Sequence, residues 1–231
     1  MLKNTLINIA ATKKIAHALG DLNEDVVYVG GAVVSFYIDD TSAEDVRPTK
    51  DIDISMKIAN IGELEDIRER LIAKGFYQSS EDDVIFRFRY EDIKVDVMAT
   101  RAVGWAPANP WFEPGFKDTI KINVGDLMIK CLSLPYYLAT KFTAFYNRGA
   151  TDPRSSHDFE DIVYLLNYTS TLVEQVVNAP EEVRKYLIQS FNDVLSDSIK
   201  QEAILGNLFY EDQDRRYHKI IQKLKHICHG V

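Results

Sequence analysis

The chain has 231 residues, 46% of them hydrophobic and 27% charged, which suits one large domain or two small ones. Its formal net charge of −8 argues against a surface that binds nucleic acid broadly, because neutralising phosphates requires clustered lysine and arginine. The apolar runs are too short to span a membrane and the N-terminus lacks a signal-peptide core, so we expect a cytoplasmic protein with no membrane association.

The first 50 residues predict a helix, a short strand, a glycine turn and a second helix. Apolar residues recur at helical spacing over residues 2–20, and residues 26–29 form a β-rich run that a glycine pair ends. Residues 32–38 follow the glycines directly and predict a helix that starts from the turn. Residues 39–50 are polar and acidic and contain a proline, so we expect a loop there.

The next segment predicts the remaining strands of a small sheet. Residues 51–56 alternate strictly between polar and apolar side chains, which is typical of a strand with one face in the core. A helix is expected over residues 62–74. Residues 84–89 and 93–98 alternate again, and the polar residues between them indicate a β-hairpin.

A loop rich in proline and aromatic residues follows over residues 103–116. It holds both tryptophans of the chain, and its prolines do not fit the interior of a helix or strand. Two interpretations are open, because aromatic loop residues serve either purpose: the loop covers a ligand site, or it packs its rings on the core.

The chain from residue 126 onward has a mainly helical pattern, with helices expected near 135–147, 155–167, 180–195 and 213–228. We therefore expect an α+β fold, with a small mixed β-sheet core and flanking helices over residues 1–125 and a mainly helical half over residues 126–231. Cys131 and Cys228 lie far apart in segments that look helical, so we expect free thiols.

The last predicted helix carries a basic cluster, made of Arg215, Arg216, His218, Lys219, Lys223, Lys225 and His226. A local nucleic-acid patch is one interpretation. The favoured interpretation is a solvated helix face, whose positive charge suits the C-terminal end of the helix dipole.

Three aspartates are expected to converge on one face of the sheet. Residues two apart on a strand share a face, so Asp51 and Asp53 point the same way while the isoleucines beside them enter the core. The same parity places Asp96 on the face opposite the apolar residues of its own strand. The alternative is that Asp51 and Asp53 form the solvated face of an edge strand, since simple alternation also produces this pattern.

Converging carboxylates predict a bound cation, because they repel one another unless positive charge neutralises them. Magnesium prefers oxygen ligands and is commonly held by one or two carboxylates together with substrate phosphates. Two Mg²⁺ ions, with Mn²⁺ as a substitute, can hold the attacking and leaving oxygens of a phosphoryl displacement. The aspartates thus indicate chemistry on a phosphate ester.

The glycine turn points to the same chemistry. Gly30 and Gly31 have no Cβ, so their backbone N–H groups can approach phosphate oxygens beside a helix N-terminus. The alternative is a tight strand-to-helix turn that binds nothing.

Together these residues resemble the DNA polymerase β superfamily of nucleotidyltransferases. The matching motifs are Val29-Gly30-Gly31, Asp51-Ile52-Asp53-Ile54 and Val95-Asp96-Val97. The resemblance implies that Asp51 and Asp53 bind both metal ions, that Asp96 binds the catalytic one and helps to deprotonate the acceptor hydroxyl, and that Gly30 and Gly31 bind substrate.

The helical half is similar to the AbiEii-type branch of that superfamily, which includes toxins of toxin–antitoxin systems. The matching stretches are residues 138–145, Arg148-Gly149 and residues 156–162. The resemblance implies that Lys141 faces the triphosphate and that Asp158 belongs to the substrate site, so that the helical half completes the active site. His157 stands where the branch usually has arginine.

Lys141 and Asp158 each have a second interpretation. Lys141 lies at the edge of an apolar helical stripe, where an ammonium must find an anion or extend its stem to water. An anionic ligand or a carboxylate partner is favoured. Asp158 follows Ser155 at the spacing of a capping box, so its carboxylate could instead close a helix end.

The leading hypothesis for function is metal-dependent transfer of a nucleoside monophosphate from an NTP, such as ATP, to a hydroxyl of an RNA end, a protein or a small molecule. The AbiEii-type resemblance favours a toxin that acts on tRNA and has an antitoxin partner. A small-molecule nucleotidyltransferase of the antibiotic-modifying kind is the alternative enzyme. A catalytically silent binding protein that keeps the fold is the competing class, although no metal-binding aspartate is missing.

Overall fold

The computed structural model describes residues 2–49, 51–149 and 152–230, which form two compact units. The first unit contains residues 1–36 and 44–133, and the second contains residues 37–43 and 134–231. No helix in these described parts has both the length and the apolar character needed to cross a membrane.

The first unit is built on a six-stranded mixed sheet. Its strands are β1 Val26–Val29, β2 Asp51–Met56, β3 Arg87–Tyr90, β4 Ile93–Ala99, β5 Thr119–Asn123 and β6 Met128–Leu132. They lie in the order β3-β4-β2-β1-β6-β5. β2 runs parallel to β4 and antiparallel to β1, so the aspartates at the start of β2 lie beside the aspartate in the middle of β4.

The burial of each strand follows from its place in this sheet. All four residues of β1 are buried, because β1 lies between β2 and β6. On β2, Ile52 and Ile54 are buried while Asp51 and Asp53 keep partial exposure, as the alternation predicts. β2 is an inner strand, so the interpretation of its aspartates as the solvated face of an edge strand is wrong.

Three helices belong to the first unit: α1 Lys3–Leu19, α2 Ile61–Ala73 and α3 Phe112–Gly115. α2 begins after Asn60, whose side chain accepts a hydrogen bond from the Glu63 amide and caps the helix. The segment after the glycine turn, Gly31–Tyr37, forms a 3-10 helix instead of a regular α-helix. It contains adjacent valines, whose branched side chains disfavour α-helix.

A hairpin of β5 and β6 was not predicted from the sequence. β6 pairs in parallel with β1 through Cys131, so this cysteine lies on a strand and not on a helix. Both strands are only five residues long, and β5 at the sheet edge is largely exposed, which leaves little apolar periodicity to detect. Cys131 and Cys228 are both free, as predicted.

The aromatic loop over residues 103–116 packs on the core of the first unit. Trp111 and Phe112 are buried, and the ring of Trp105 lies 6.0 Å from the ring of Phe88 on β3. The Trp105 indole also donates a hydrogen bond to Glu65 on α2. Of the two interpretations of this loop, the one that packs its rings on the core fits these contacts.

The second unit is helical. It contains α4 Leu134–Ala144, α5 His157–Tyr168, α6 Leu172–Val177, α7 Glu181–Ser196, α8 Ser198–Gly206 and α9 Gln213–His229, with a π-helical turn, Phe145–Gly149, after α4. α6 and α8 were not predicted. They are the shortest of these helices, so their periodic signal is the weakest.

The basic cluster of α9 divides between two faces of the helix. Arg216 is buried and donates to Asp40, and Lys223 is buried and donates to the backbone carbonyls of Leu166 and Thr169. The cluster is therefore neither one solvated face nor one continuous basic patch. Its buried members tie α9 to α5 and to residues 37–43 within the second unit.

Candidate active site

The sheet brings the three predicted aspartates together on two neighbouring inner strands. In the parallel register of β2 and β4, Asp53 lies directly opposite Asp96, and Asp51 lies two residues before Asp53 on the same face. Asp96 is 6% exposed, whereas the side chain of Asp51 keeps 34% of its surface in solvent. The cluster therefore has a buried carboxylate at its base and an open side.

Gly30, which follows β1, lies beside this cluster. The antiparallel register pairs Val29 with Asp53, so the chain turns at Gly30 immediately beside that aspartate. Gly30 has a φ of +72°, and a Cβ at this position would collide with the Asp53 carboxylate. Only glycine lets the backbone pass this close to the carboxylate.

The second glycine packs against the loop that precedes β2. A Cβ on Gly31 would overlap the guanidinium of Arg47 and the methyl group of Thr49. Arg47 belongs to the segment that the sequence analysis treated only as a polar loop. The tertiary fold therefore adds a cation beside the glycine turn that alternation and spacing did not identify.

Arg87 is a second cation at the site that the sequence analysis did not identify. Its Nε lies 2.6 Å from Oδ1 of Asp96 and its Nη2 lies 2.8 Å from Oδ2, so the contact is bidentate. The same Nη2 lies 3.2 Å from Oδ2 of Asp51. The hairpin gives a usable signal, because pairing across its two-residue turn places Arg87 directly opposite Asp96.

The electrostatics of Asp96 reflect these neighbours. Burial raises the pKa of the Asp96 carboxyl above its ordinary value, and Asp51 adds to the rise, while the hydrogen bonds and charge of Arg87 act in the opposite direction. The hydrogen bonds to Asp96 in turn raise the pKa of the Arg87 guanidinium. Asp96 and Arg87 therefore form a strongly interacting pair.

The donor set suits magnesium in its chemistry, since the three carboxylates are hard oxygen ligands. Among the described residues, however, no three His, Cys, Asp or Glu side chains are already arranged to hold a metal ion. Both Asp96 oxygens accept hydrogen bonds from Arg87. A metal ion bound through Asp96 would therefore compete with Arg87 for that carboxylate.

Lys141 and Asp158 lie in the second unit, where they belong to a separate charged cluster. The Lys141 ammonium lies 2.7 Å from Asp161 and 3.8 Å from Asp158. Asp158 also accepts hydrogen bonds from Arg148. Lys141 therefore has carboxylate partners within its own unit, and its predicted contact with a triphosphate stays a prediction.

The start of α5 explains the position of Asp158. Ser156 is the N-cap, since its side chain accepts a hydrogen bond from the Phe159 amide, so the box expected from Ser155 does not form. Asp158 lies in the first turn, where a negative charge suits the helix dipole. Its role in substrate binding stays a prediction.

The sheet thus places paired aspartates, a third aspartate on the adjacent parallel strand and a glycine turn side by side. The family described as nucleotidyl transferase AbiEii toxin, type IV TA system, matches residues 16–226. The chain therefore belongs to the AbiEii nucleotidyltransferase family, as its motifs indicated, and its class of activity is that of a transferase.

One solved structure supports the fold, and another is similar at a lower TM-score. The chain is similar to an antigenic nucleotidyltransferase-like protein from Paracoccidioides brasiliensis, with a TM-score of 0.51, 18% identity, and coverage of 87% of this chain and 91% of that one. It also matches ANT(2'')-Ia, crystallised with adenylyl-2''-tobramycin, with a TM-score of 0.46, 17% identity, and coverage of 80% and 97%. The first similarity shows the fold alone. No curated protein matches the chain.

Proposed function

We propose that this chain transfers a nucleoside monophosphate from an NTP to a hydroxyl group and releases pyrophosphate, with Asp51, Asp53 and Asp96 as its metal ligands. The main support for this proposal is the strand register, which sets Asp53 opposite Asp96 and places Asp51 on the same face. Two bound Mg²⁺ ions would neutralise the reacting phosphate and activate the attacking oxygen.

The residues around the aspartates have distinct roles in this proposal. Asp96, the most buried of the three, would hold a metal ion and help to take the proton of the acceptor hydroxyl. The backbone at Gly30 and Gly31 binds the triphosphate, because it reaches the carboxylates without an intervening Cβ. Arg47 lies beside the same turn and supplies positive charge there.

The acceptor that we propose is RNA, with the protein acting as the toxin of a toxin–antitoxin pair. This step rests on membership of a family described as a type IV toxin. The formal net charge of −8 implies that RNA would be held locally, and that a broad basic surface would not provide the affinity.

The test is incubation of the protein with magnesium and each labelled NTP, together with total cellular RNA, cell protein or a hydroxyl-bearing antibiotic. We expect label on RNA. Label on the antibiotic alone would replace the RNA acceptor with a small molecule. No transfer to any of the three acceptors, and no rise in melting temperature with any NTP and magnesium, would refute the enzyme assignment. A ligand at about 100 times its Kd adds about 2.7 kcal/mol of stability, which a thermal shift detects.

Asp53→Asn is the matching variant, because it preserves volume while removing one metal-binding charge. Transfer should fall below detection and the circular dichroism spectrum should stay unchanged. Asp92→Asn makes the same chemical change in the exposed hairpin turn and should keep full activity. An active Asp53→Asn protein would show that the catalytic site lies elsewhere.

A further inference from the structure

One cation of the first unit, Arg87, reaches two of the three clustered aspartates. Arg87 contacts both Asp51 and Asp96. Lys94 pairs with Asp51 in the strand register, yet its ammonium lies 3.4 Å from Asp82 instead. Arg87 thus occupies the electrostatic position that a divalent ion would take.

This contact and metal binding compete for the same carboxylate oxygens. A bidentate guanidinium takes both oxygens of Asp96 at hydrogen-bonding distance. A metal ion that used the same oxygens would place a second cation close to the guanidinium, and like charges repel in a partly buried site. The Arg87 side chain is 20% exposed, so it has an open side toward which it can move.

We propose that Arg87 is an exchangeable counter-ion and a further substrate-binding residue: it holds Asp96 in the metal-free protein, leaves when a divalent ion enters, and then pairs with a phosphate of the nucleotide. This inference rests on the proposed function. The displaced guanidinium stays beside the site and needs an anion, and a planar bidentate donor suits phosphate as well as carboxylate. Metal and nucleotide therefore bind cooperatively, because the nucleotide accepts the arginine that the metal displaces.

The test measures binding without turnover, by titrating Mn²⁺ calorimetrically in the absence and presence of a non-hydrolysable NTP analogue. Arg87→Gln should bind Mn²⁺ alone about tenfold more tightly than wild type, since removing a nearby like charge favours the cation by at least that factor. It should also bind the Mn²⁺-loaded analogue about tenfold more weakly, since a charge-assisted contact to phosphate is lost.

Arg89→Gln is the matched control. Arg89 lies two residues away on the same strand and the same face, but its guanidinium pairs with Asp82 and not with the proposed metal ligands. It should leave Mn²⁺ affinity within about twofold of wild type, because the lost charge is not in contact with Asp51 or Asp96. A tightening as large as that of Arg87→Gln would overturn the assignment to Arg87.

The remaining outcomes separate this inference from the proposed function. Equal Mn²⁺ affinity in wild type and Arg87→Gln would overturn the counter-ion role while leaving the metal site in place. No Mn²⁺ binding in either protein, with or without the analogue, would overturn both proposals. If Arg87→Gln does not fold, Arg87→Lys decides, because it keeps the charge but loses the bidentate contact. A Mn²⁺ affinity of Arg87→Lys no tighter than wild type would then overturn the inference.

Discussion

The two units each contain a charged cluster in which one cation meets more than one carboxylate, but the clusters differ in their access to solvent. In the sheet unit, Arg87 bridges Asp51 and Asp96 at a site that is open on one side. In the helical unit, Lys141 lies against Asp161 and Asp158, and all three side chains are at most 9% exposed. The cation of the sheet cluster can therefore be exchanged, whereas the Lys141 cluster is buried from solvent.

This difference in solvent access favours a ligand-binding role for the sheet cluster and a stabilising role for the helical cluster. In a buried ion pair, each charge already offsets the desolvation cost of the other. Binding a ligand to such a pair therefore adds little stabilisation. A half-open pair within a cluster of three carboxylates keeps the potential to bind a further cation. The contrast predicts that mutations in the helical cluster change stability first, whereas mutations in the sheet cluster change metal and nucleotide binding first.

The largest effect on stability is expected for Lys141→Met. Removing the ammonium leaves Asp161 buried without its nearest cation, and breaking a buried pair from one side costs about 3 to 5 kcal/mol. Urea unfolding should show this loss. NTP titration of the folded variant tests the predicted triphosphate contact of Lys141, which would lower affinity roughly 10- to 150-fold.

Two further variants are controls for the stability of Lys141→Met. Lys185→Met removes an ammonium from an exposed pair with Glu181 and should change stability by less than about 0.5 kcal/mol. Lys141→Met combined with Asp161→Leu removes both charges and should recover much of the lost stability. A stable Lys141→Met protein would contradict the view that this cluster is structural.

Lys223 is a buried lysine whose hydrogen-bond partners are backbone carbonyls and not carboxylates, so burial lowers its pKa. Burial, with a contribution from Lys219, lowers the pKa of the Lys223 ammonium from 10.5 to about 8. In this window the unfolded chain binds more protons than the folded chain, so the free energy of unfolding rises with pH from about 8 to about 10.5. The gain attributable to Lys223 should reach about 3 kcal/mol, and below pH 8 the site adds no slope.

Other groups titrate over the same range, so the measurement is a difference between wild type and Lys223→Met. Urea unfolding of both proteins at several pH values should show a smaller slope in the variant. A neutral amine still has two N–H donors for the carbonyls of Leu166 and Thr169, so deprotonation preserves both hydrogen bonds. Identical slopes in the two proteins would mean that Lys223 keeps its proton throughout.

A small effect is expected for Arg148→Gln, at the outer side of the helical cluster. Arg148 pairs with Asp158, but its own side chain is 72% exposed, so solvent screens most of the attraction. We expect a loss of at most about 1 kcal/mol in urea unfolding. A loss as large as that of Lys141→Met would show that the Arg148–Asp158 pair stabilises the cluster as much as the Lys141–Asp161 pair does.

The sequence predicted the parts of the fold whose signal is local. The strict alternation over residues 51–56 gave β2 with its bounds and its polar face, because a strand buried on one face repeats every two residues. Helices with long apolar stripes, such as α7 and α9, were predicted within one or two residues of their ends. The short strands β5 and β6 and the short helices α6 and α8 carry too few periodic positions and were missed.

For the site, the sequence by itself determined which residue types share a face, since strand parity follows from backbone geometry alone. It therefore identified the three aspartates and the glycine turn. The hairpin register already sets Arg87 opposite Asp96. Only the tertiary structure decided that Arg47 lies beside Gly31 and that Lys141 faces Asp161. Each of these contacts depends on which long side chain the packing directs toward which partner, and that choice lies between segments that no periodicity relates.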